Sequence, residues 1–104
     1  MYDVVSLGEA LIDFTMDSAD AEGYPTMAAH PGGAPANFLA ALAKFGAKTA
    51  LIAKVGDDSF GRLLLRTLKE AGIDTRGLLM DGEVFTTLAF VTLDSKGERE
   101  FAFA

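Results

Sequence analysis

The chain has 104 residues, half of them hydrophobic, with nine Lys and Arg against fifteen Asp and Glu for a net charge of -6. That allows one small domain with a modest core and is not the composition of a disordered chain. Apolar runs of only a few residues fall far short of the roughly 20 that span a bilayer, the start Met1-Tyr2-Asp3 lacks a secretory pattern, and scattered basic residues leave no phosphate-backbone footprint, so the expectation is a cytoplasmic protein with neither a membrane nor a nucleic-acid partner.

Asp3–Leu7 is a short β-branched run ending at Gly8, suited to a buried strand. Leu11–Met16 continues strand-like with Asp13 in its middle, and Asp17–Gly23 is polar and turn-rich, read as a solvated loop. From Pro35 the period changes: Phe38, Leu39, Leu42 and Phe45 recur at helical spacing, and Gly46 stands where a left-handed cap belongs. Thr49–Val55 reads as the next strand, Gly56-Asp57-Asp58 turns with Asp58 as N-cap, and Phe60, Leu63, Leu64, Leu68 and Ala71 mark an amphipathic helix closed by Gly72. This alternation predicts βαβ crossovers and a mainly parallel sheet. Val84–Leu93, the turn Asp94-Ser95-Lys96-Gly97 and Glu98–Phe103 read as a β-hairpin projecting from that core. Glu100-Phe101-Ala102-Phe103-Ala104 looks like a strand in mid-course, so the expectation is the N-terminal part of something larger.

With no cysteine, disulfides, thiolate catalysis and cysteine-ligated zinc are removed, and His30, the only histidine, has no partner for a triad or a metal site. It is expected in a loop near the glycines. Gly32-Gly33-Ala34-Pro35-Ala36-Asn37 is open to two readings. It is either an ordinary loop into a helix with Pro35 preset for the first turn, or a place where exposed N–H groups and the Asn37 amide meet a hydroxylated ligand. Asp13 alternates with Ile12 and Phe14 and therefore faces either solvent or a cleft, where a carboxylate could accept from two adjacent hydroxyls. Glu9 reads as structural.

Asp57 and Asp58 cap a helix better than they bind metal, since no further ligand stands at calcium-loop spacing, and no metal ligands are assigned. Lys54 faces either a ligand or solvent. Phe101 and Phe103 share one face of the last strand, as hairpin core or as an apolar wall over a ligand. The phosphate-loop and dinucleotide fingerprints are both absent.

Gly8-Glu9-Ala10-Leu11-Ile12-Asp13-Phe14, Pro31-Gly32-Gly33-Ala34-Pro35-Ala36-Asn37, Val55-Gly56-Asp57-Asp58-Ser59-Phe60-Gly61 and Thr87-Leu88-Ala89-Phe90-Val91 together resemble the ribokinase-like (PfkB) carbohydrate kinases. Gly-Gly-Ala-Pro-Ala-Asn and Gly97-Glu98-Arg99-Glu100-Phe101 tilt the resemblance toward fructokinases. It implies a ribokinase-like α/β fold, a doubly wound, mainly parallel sheet with a small β-sheet lid over the sugar, the lid strands falling within residues 11–30 and 84–104. It places Asp13, Gly32, Gly33 and Asn37 at sugar-binding positions, with Phe101 or Phe103 as the lid's apolar contact, and implies a homodimer through the lid.

The implied reaction is transfer of the ATP γ-phosphoryl group to a primary sugar hydroxyl, fructose to fructose 6-phosphate, helped by Mg2+ and a monovalent cation such as K+. The family's general base lies in a Gly-Ala-Gly-Asp motif that this chain does not contain, and is expected beyond Ala104. No catalytic residue is therefore assigned within residues 1–104, and the chain alone is expected to be inactive. A 2-keto-3-deoxygluconate kinase or ribokinase is the alternative on the same scaffold. A non-catalytic sugar-binding or lid-dimerisation module is the alternative from another class.

Overall fold

The computed structural model describes residues 1–104. In chain order the elements are β1 (Val4–Leu7), β2 (Leu11–Ala19), β3 (Pro25–Gly32), α1 (Ala34–Lys44), β4 (Thr49–Gly56), α2 (Ser59–Glu70), β5 (Ile73–Asp74), β6 (Leu78–Asp81), β7 (Leu88–Leu93) and β8 (Arg99–Phe103). They form a parallel sheet and a mixed second sheet, the α/β arrangement that the alternating periods predict. Neither helix is long and apolar enough to cross a membrane.

The parallel sheet centres on β4. β1 lies along one side of it, from Val4 opposite Thr49 to Leu7 opposite Ile52. On the other side β5 pairs with Thr49 and Ala50, and β6 pairs with Ala53–Gly56, so the two short strands share one interrupted edge. Alternation along β4 sends Leu51, Ala53 and Val55 inward and leaves Ile52 and Lys54 exposed. Leu39 of α1 and Leu64 and Leu68 of α2 pack on that inward side, in one cluster with Ile12 of β2. Ile12, Leu39, Leu51 and Leu64 are fully buried, each stabilising the fold by about 1.5–3 kcal/mol.

Both helices end as their sequences dictate. Pro35 occupies the first turn of α1, where its missing N–H would have had no partner. Gly46 follows α1 at φ 91°, a left-handed conformation that returns its N–H to the Ala43 carbonyl at 3.0 Å. Asp58 caps α2 by accepting from the Gly61 N–H at 2.7 Å.

The second sheet has the order β3-β2-β7-β8, with β2 antiparallel to β3, parallel to β7, and β7 antiparallel to β8. Asp94 closes the β7–β8 turn by accepting from the Lys96 and Glu98 N–H groups at 2.8 and 2.9 Å. The sheet is joined to the core through Phe14, which stacks on Phe90 at 5.3 Å and meets the edge of Phe60 at 5.5 Å.

Several details differ from the sequence reading, among them β1, read as a buried strand but leaving Val5 and Leu7 exposed. His30 is not in a loop but in β3, directly across from Asp13. β2 carries on past Met16 to Ala19 through a bulge, so the turn begins only at Asp20. The stretch read as strand from Val84 joins the ladder only at Leu88, because Thr86 is drawn out of it by bonds to Asp58. The hairpin, whose alternating strand was read over Glu98–Phe103, keeps its pairing at Ala104, in line with the reading of Glu100–Ala104 as a strand in mid-course: the Ala104 N–H donates to the Leu88 carbonyl at 2.8 Å and the Ala104 carbonyl accepts from the Leu88 N–H at 2.9 Å. β5 and β6 have no counterpart in the sequence reading; they are two and four residues long, too short for periodicity.

Candidate functional site

Alternation along β2 turns Ile12 and Phe14 toward the core and sets Asp13 and Thr15 on the opposite face of the second sheet. The strand registers then align His30, Asp13, Ala89 and Phe103 in one row and Ala28, Thr15, Val91 and Phe101 in the next. Arg99, opposite Leu93, stands one pleat repeat further on the same face. Here lies a cavity of about 320 Å³ with an apolar wall from Met16, Val91, Leu93 and Phe101 and polar groups from Asp13, Thr15 and Arg99. A half-buried carboxylate, a hydroxyl and a guanidinium over apolar side chains suit a small hydroxylated ligand with one apolar face.

The glycine turn abuts this cavity. A Cβ built on Gly32 would overlap the Asp13 carboxylate. At Gly33, φ is 105° and a Cβ would stand 2.8 Å from the Glu9 carbonyl oxygen, so only glycine fits this start of α1. Asn37 is exposed in the first turn of α1 and, with Gly32, lines a narrower cleft of about 100 Å³ beside Leu64 and Thr67.

Of the residues singled out in the sequence, Asp13 and Phe101 share the cavity and Gly32 touches Asp13. Phe103 shares Asp13's row without lining the cavity, and neither Gly33 nor Asn37 lines it, Asn37 sharing the narrower cleft with Gly32. Ala104 alternates with Phe103 onto the other face of the sheet, where it lines a separate apolar cavity of about 440 Å³ with Phe60, Phe85 and Leu88, edged by Asp58 and Thr86. Lys54 is turned away on the exposed face of β4, ion-paired with Asp81 at 3.0 Å.

The two adjacent carboxylates after Gly56 have separate structural roles. Asp57 pairs with Arg62 at 3.1 Å on the surface. Asp58 accepts from Gly61 N–H, Thr86 N–H and the Thr86 hydroxyl at 2.7, 2.9 and 2.7 Å. Burial pushes its carboxyl up, and these bonds outweigh burial and hold it below the ordinary carboxylate value. Nowhere do three or more His, Cys, Asp or Glu side chains converge as metal ligands.

A larger opening of about 750 Å³ lies at the other end of the parallel sheet, lined by Tyr2, Lys48, Lys69, Asp74 and Arg76 among others. The Arg76 guanidinium beside Asp74, with the Tyr2 hydroxyl, holds the Asp74 carboxyl far below its usual range. Tyr2, Asp74 and Arg76 are already paired with one another, and the opening stands at the strand starts. Open α/β sheets bind ligands beyond the carboxyl ends of their strands, which is where β1 gives way to Gly8 and the second sheet. The smaller cavity is thus the better candidate.

Sequence reading missed Arg99, Thr15 and Thr86. Arg99 was legible, since it alternates with Phe101 and Phe103 and must share their face. Thr15 likewise follows Asp13 by two. Thr86 carried no local signal, because its partner is 28 residues away.

Known proteins share this fold. Residues 1–104 match the family described as pfkB family carbohydrate kinase. The chain is 48% identical over 103 residues to a probable fructokinase-5 of Arabidopsis thaliana, covering 96% of this chain and 32% of that protein. The crystal structure of a fructokinase from Xylella fastidiosa superposes with a TM-score of 0.90 at 38% identity, over 96% of this chain and 31% of the other. A structure of Xylella fastidiosa fructokinase with bound ATP matches at a TM-score of 0.87 and 37% identity, over 96% and 29%. The chain spans about a third of the length of the relatives it matches.

Proposed function

Because the chain belongs to the pfkB family of carbohydrate kinases, we propose that it supplies the sugar-holding wall and lid of an ATP-dependent kinase whose acceptor is fructose. Residues 1–104 then form the N-terminal portion of a single α/β domain, with β2, β3, β7 and β8 as the lid and the general base in sequence beyond Ala104. The observation that carries this reading is the half-buried Asp13 carboxylate, seated against Gly32 in a cavity walled by Phe101.

In this reading Asp13 accepts hydrogen bonds from two neighbouring sugar hydroxyls. Gly32 brings backbone close to the ligand and Phe101 covers the apolar face of the ring, while Gly33, Asn37 and Phe103, outside the cavity itself, would meet the parts of the sugar that extend past Gly32 and along Asp13's row. The ATP-bound fructokinase of Xylella fastidiosa supports ATP as the donor. The γ-phosphoryl group would pass to the primary hydroxyl, giving fructose 6-phosphate. Mg2+ and K+ would serve this reaction as charge-neutralising cofactors, and these 104 residues offer no cluster of carboxylates fit to hold Mg2+. The free edge of β8, exposed along its whole length, supports a homodimer formed through the lid.

Arg99 favours a second acceptor, because a guanidinium in the cavity suits a carboxylate such as that of 2-keto-3-deoxygluconate. Calorimetric titration of the intact gene product with both sugars separates the two. Fructose binding tighter, and weakening about 10- to 100-fold in Asp13→Asn, is the expected result. Tighter binding of 2-keto-3-deoxygluconate reverses the ranking, and unaltered binding in Asp13→Asn removes Asp13 from the site.

A further inference from the structure

The Gly56-Asp57-Asp58-Ser59-Phe60-Gly61 segment caps α2, yet two of its side chains leave the helix for the second sheet. Phe60 meets the edge of Phe14 in β2, which stacks on Phe90 of β7. Asp58 reaches Thr86, two residues before β7, and takes both its N–H and its hydroxyl at 2.9 and 2.7 Å. The same hydroxyl accepts from Gly56 N–H at 3.1 Å, and Thr86 is buried to 2% exposure. A Cβ on Gly56 would stand 2.5 Å from Asp58 Oδ2, Thr86 N and the Val84 carbonyl oxygen alike. Nothing larger than glycine lets the three segments converge.

Helix capping alone needs only the bond from Asp58 to Gly61. The bonds to Thr86 act on the place where the chain returns from the parallel sheet to the lid. The next residue, Thr87, gives its carbonyl to Ile12 N–H at 3.1 Å, the residue adjoining Asp13. Thr86 therefore holds the root of β7 against β2 at the level of the site carboxylate, and β7 carries β8 with Phe101.

We propose that Thr86, held by Asp58, is a positioning residue for the acceptor: it fixes the pitch of the lid so that Asp13 and Phe101 face the ligand at one spacing. This rests on the sugar-wall reading above. A bond that sets a spacing acts on the group being held in place, and small misplacements at a site are costly. It predicts a selective defect in acceptor binding rather than a general loss.

The test uses the intact gene product. Thr86→Val keeps the side chain's shape and removes its hydroxyl, while Thr86→Ser keeps the hydroxyl. Thr86→Val is expected to raise KM for the sugar about tenfold and leave KM for ATP within about twofold, with Thr86→Ser near wild type. An unchanged sugar KM in folded Thr86→Val, or equal shifts in both KM values, overturns the proposal. Where Thr86→Val does not fold, Asp58→Asn, which keeps one acceptor oxygen, is read in the same way.

Amide hydrogen exchange separates failure of the proposal from failure of the sugar reading. Thr86→Val is expected to speed exchange in β2 and β7 about tenfold and to leave β4 within about twofold. Uniform acceleration across the chain overturns the positioning role. Confined acceleration in a protein that phosphorylates no sugar supports the mount and overturns the reading of the site.

Discussion

The carboxylate of Asp13 lies against Gly32 of the neighbouring strand so closely that no Cβ fits there. A side chain at position 32 must therefore displace the carboxylate from the cavity or push β3 away from β2. Gly32→Ala is expected to weaken sugar binding by about tenfold or more in calorimetric titration, with the far-ultraviolet circular dichroism unchanged. Gly82→Ala is the control, since a Cβ there meets nothing within 4 Å. Full affinity in Gly32→Ala means that Asp13 does not hold the ligand.

Asp58 makes stability depend on acid pH. Burial pushes its carboxyl up, but the hydrogen bonds from Thr86 and Gly61, joined by the Phe60 backbone, win and leave it below the ordinary value of 3.8. A carboxyl depressed on folding contributes its full stabilisation above the unfolded value and loses it as pH falls through the folded one. Asp58→Asn is accordingly expected to cost about 1–2 kcal/mol at neutral pH in urea unfolding, with the gap to wild type narrowing as pH falls below about 4. A gap that stays constant through that range rules out the charge of Asp58 as the source.

Local chemistry was legible in the sequence, and distant pairing was not. Gly46, Gly72 and Asp58 mark the helix ends because a left-handed turn and an N-cap are single-residue requirements, and all three perform as read. The β7–β8 turn follows for the same reason from Asp94 and Gly97. β3 was anticipated only through the family resemblance, whose lid strands fall within residues 11–30, because Pro25, Pro31 and Gly32 disguise an edge strand whose partner, β2, supplies its register. Asp13 was legible as the odd residue between two core-facing ones. That it rests on Gly32 and shares a cavity with Arg99 depends on pairings across four strands, which no spacing within one strand discloses.

Thr49 opens β4 with its hydroxyl buried and without a hydrogen-bond partner. Such a group gives up its water for nothing in return. Thr49→Val has nearly the same shape and removes the oxygen, so it is expected to raise stability by about 1 kcal/mol, measured as a shift in the urea midpoint at constant slope. A loss of stability would show that the hydroxyl finds a partner in solution.

The face of the parallel sheet turned away from α1 and α2 carries Val5, Leu7, Ile52 and Leu79, all exposed, with Leu7 82% exposed. Register makes this one patch, since Leu7 lies opposite Ile52, and Leu79 lies opposite Lys54 on the other side of β4. Parallel sheets are covered on both faces, and apolar surface of this kind drives association when left open. The 104 residues prepared alone are therefore expected to bind a hydrophobic dye, to self-associate, and to show no ATP-dependent phosphorylation of fructose. Leu7→Lys combined with Leu79→Lys should cut dye binding several-fold with circular dichroism unchanged, because both side chains leave the core untouched. A monomeric, dye-silent chain would mean that the patch is covered by a rearrangement of these same residues, and fructose turnover by pure material would place a catalytic base among them.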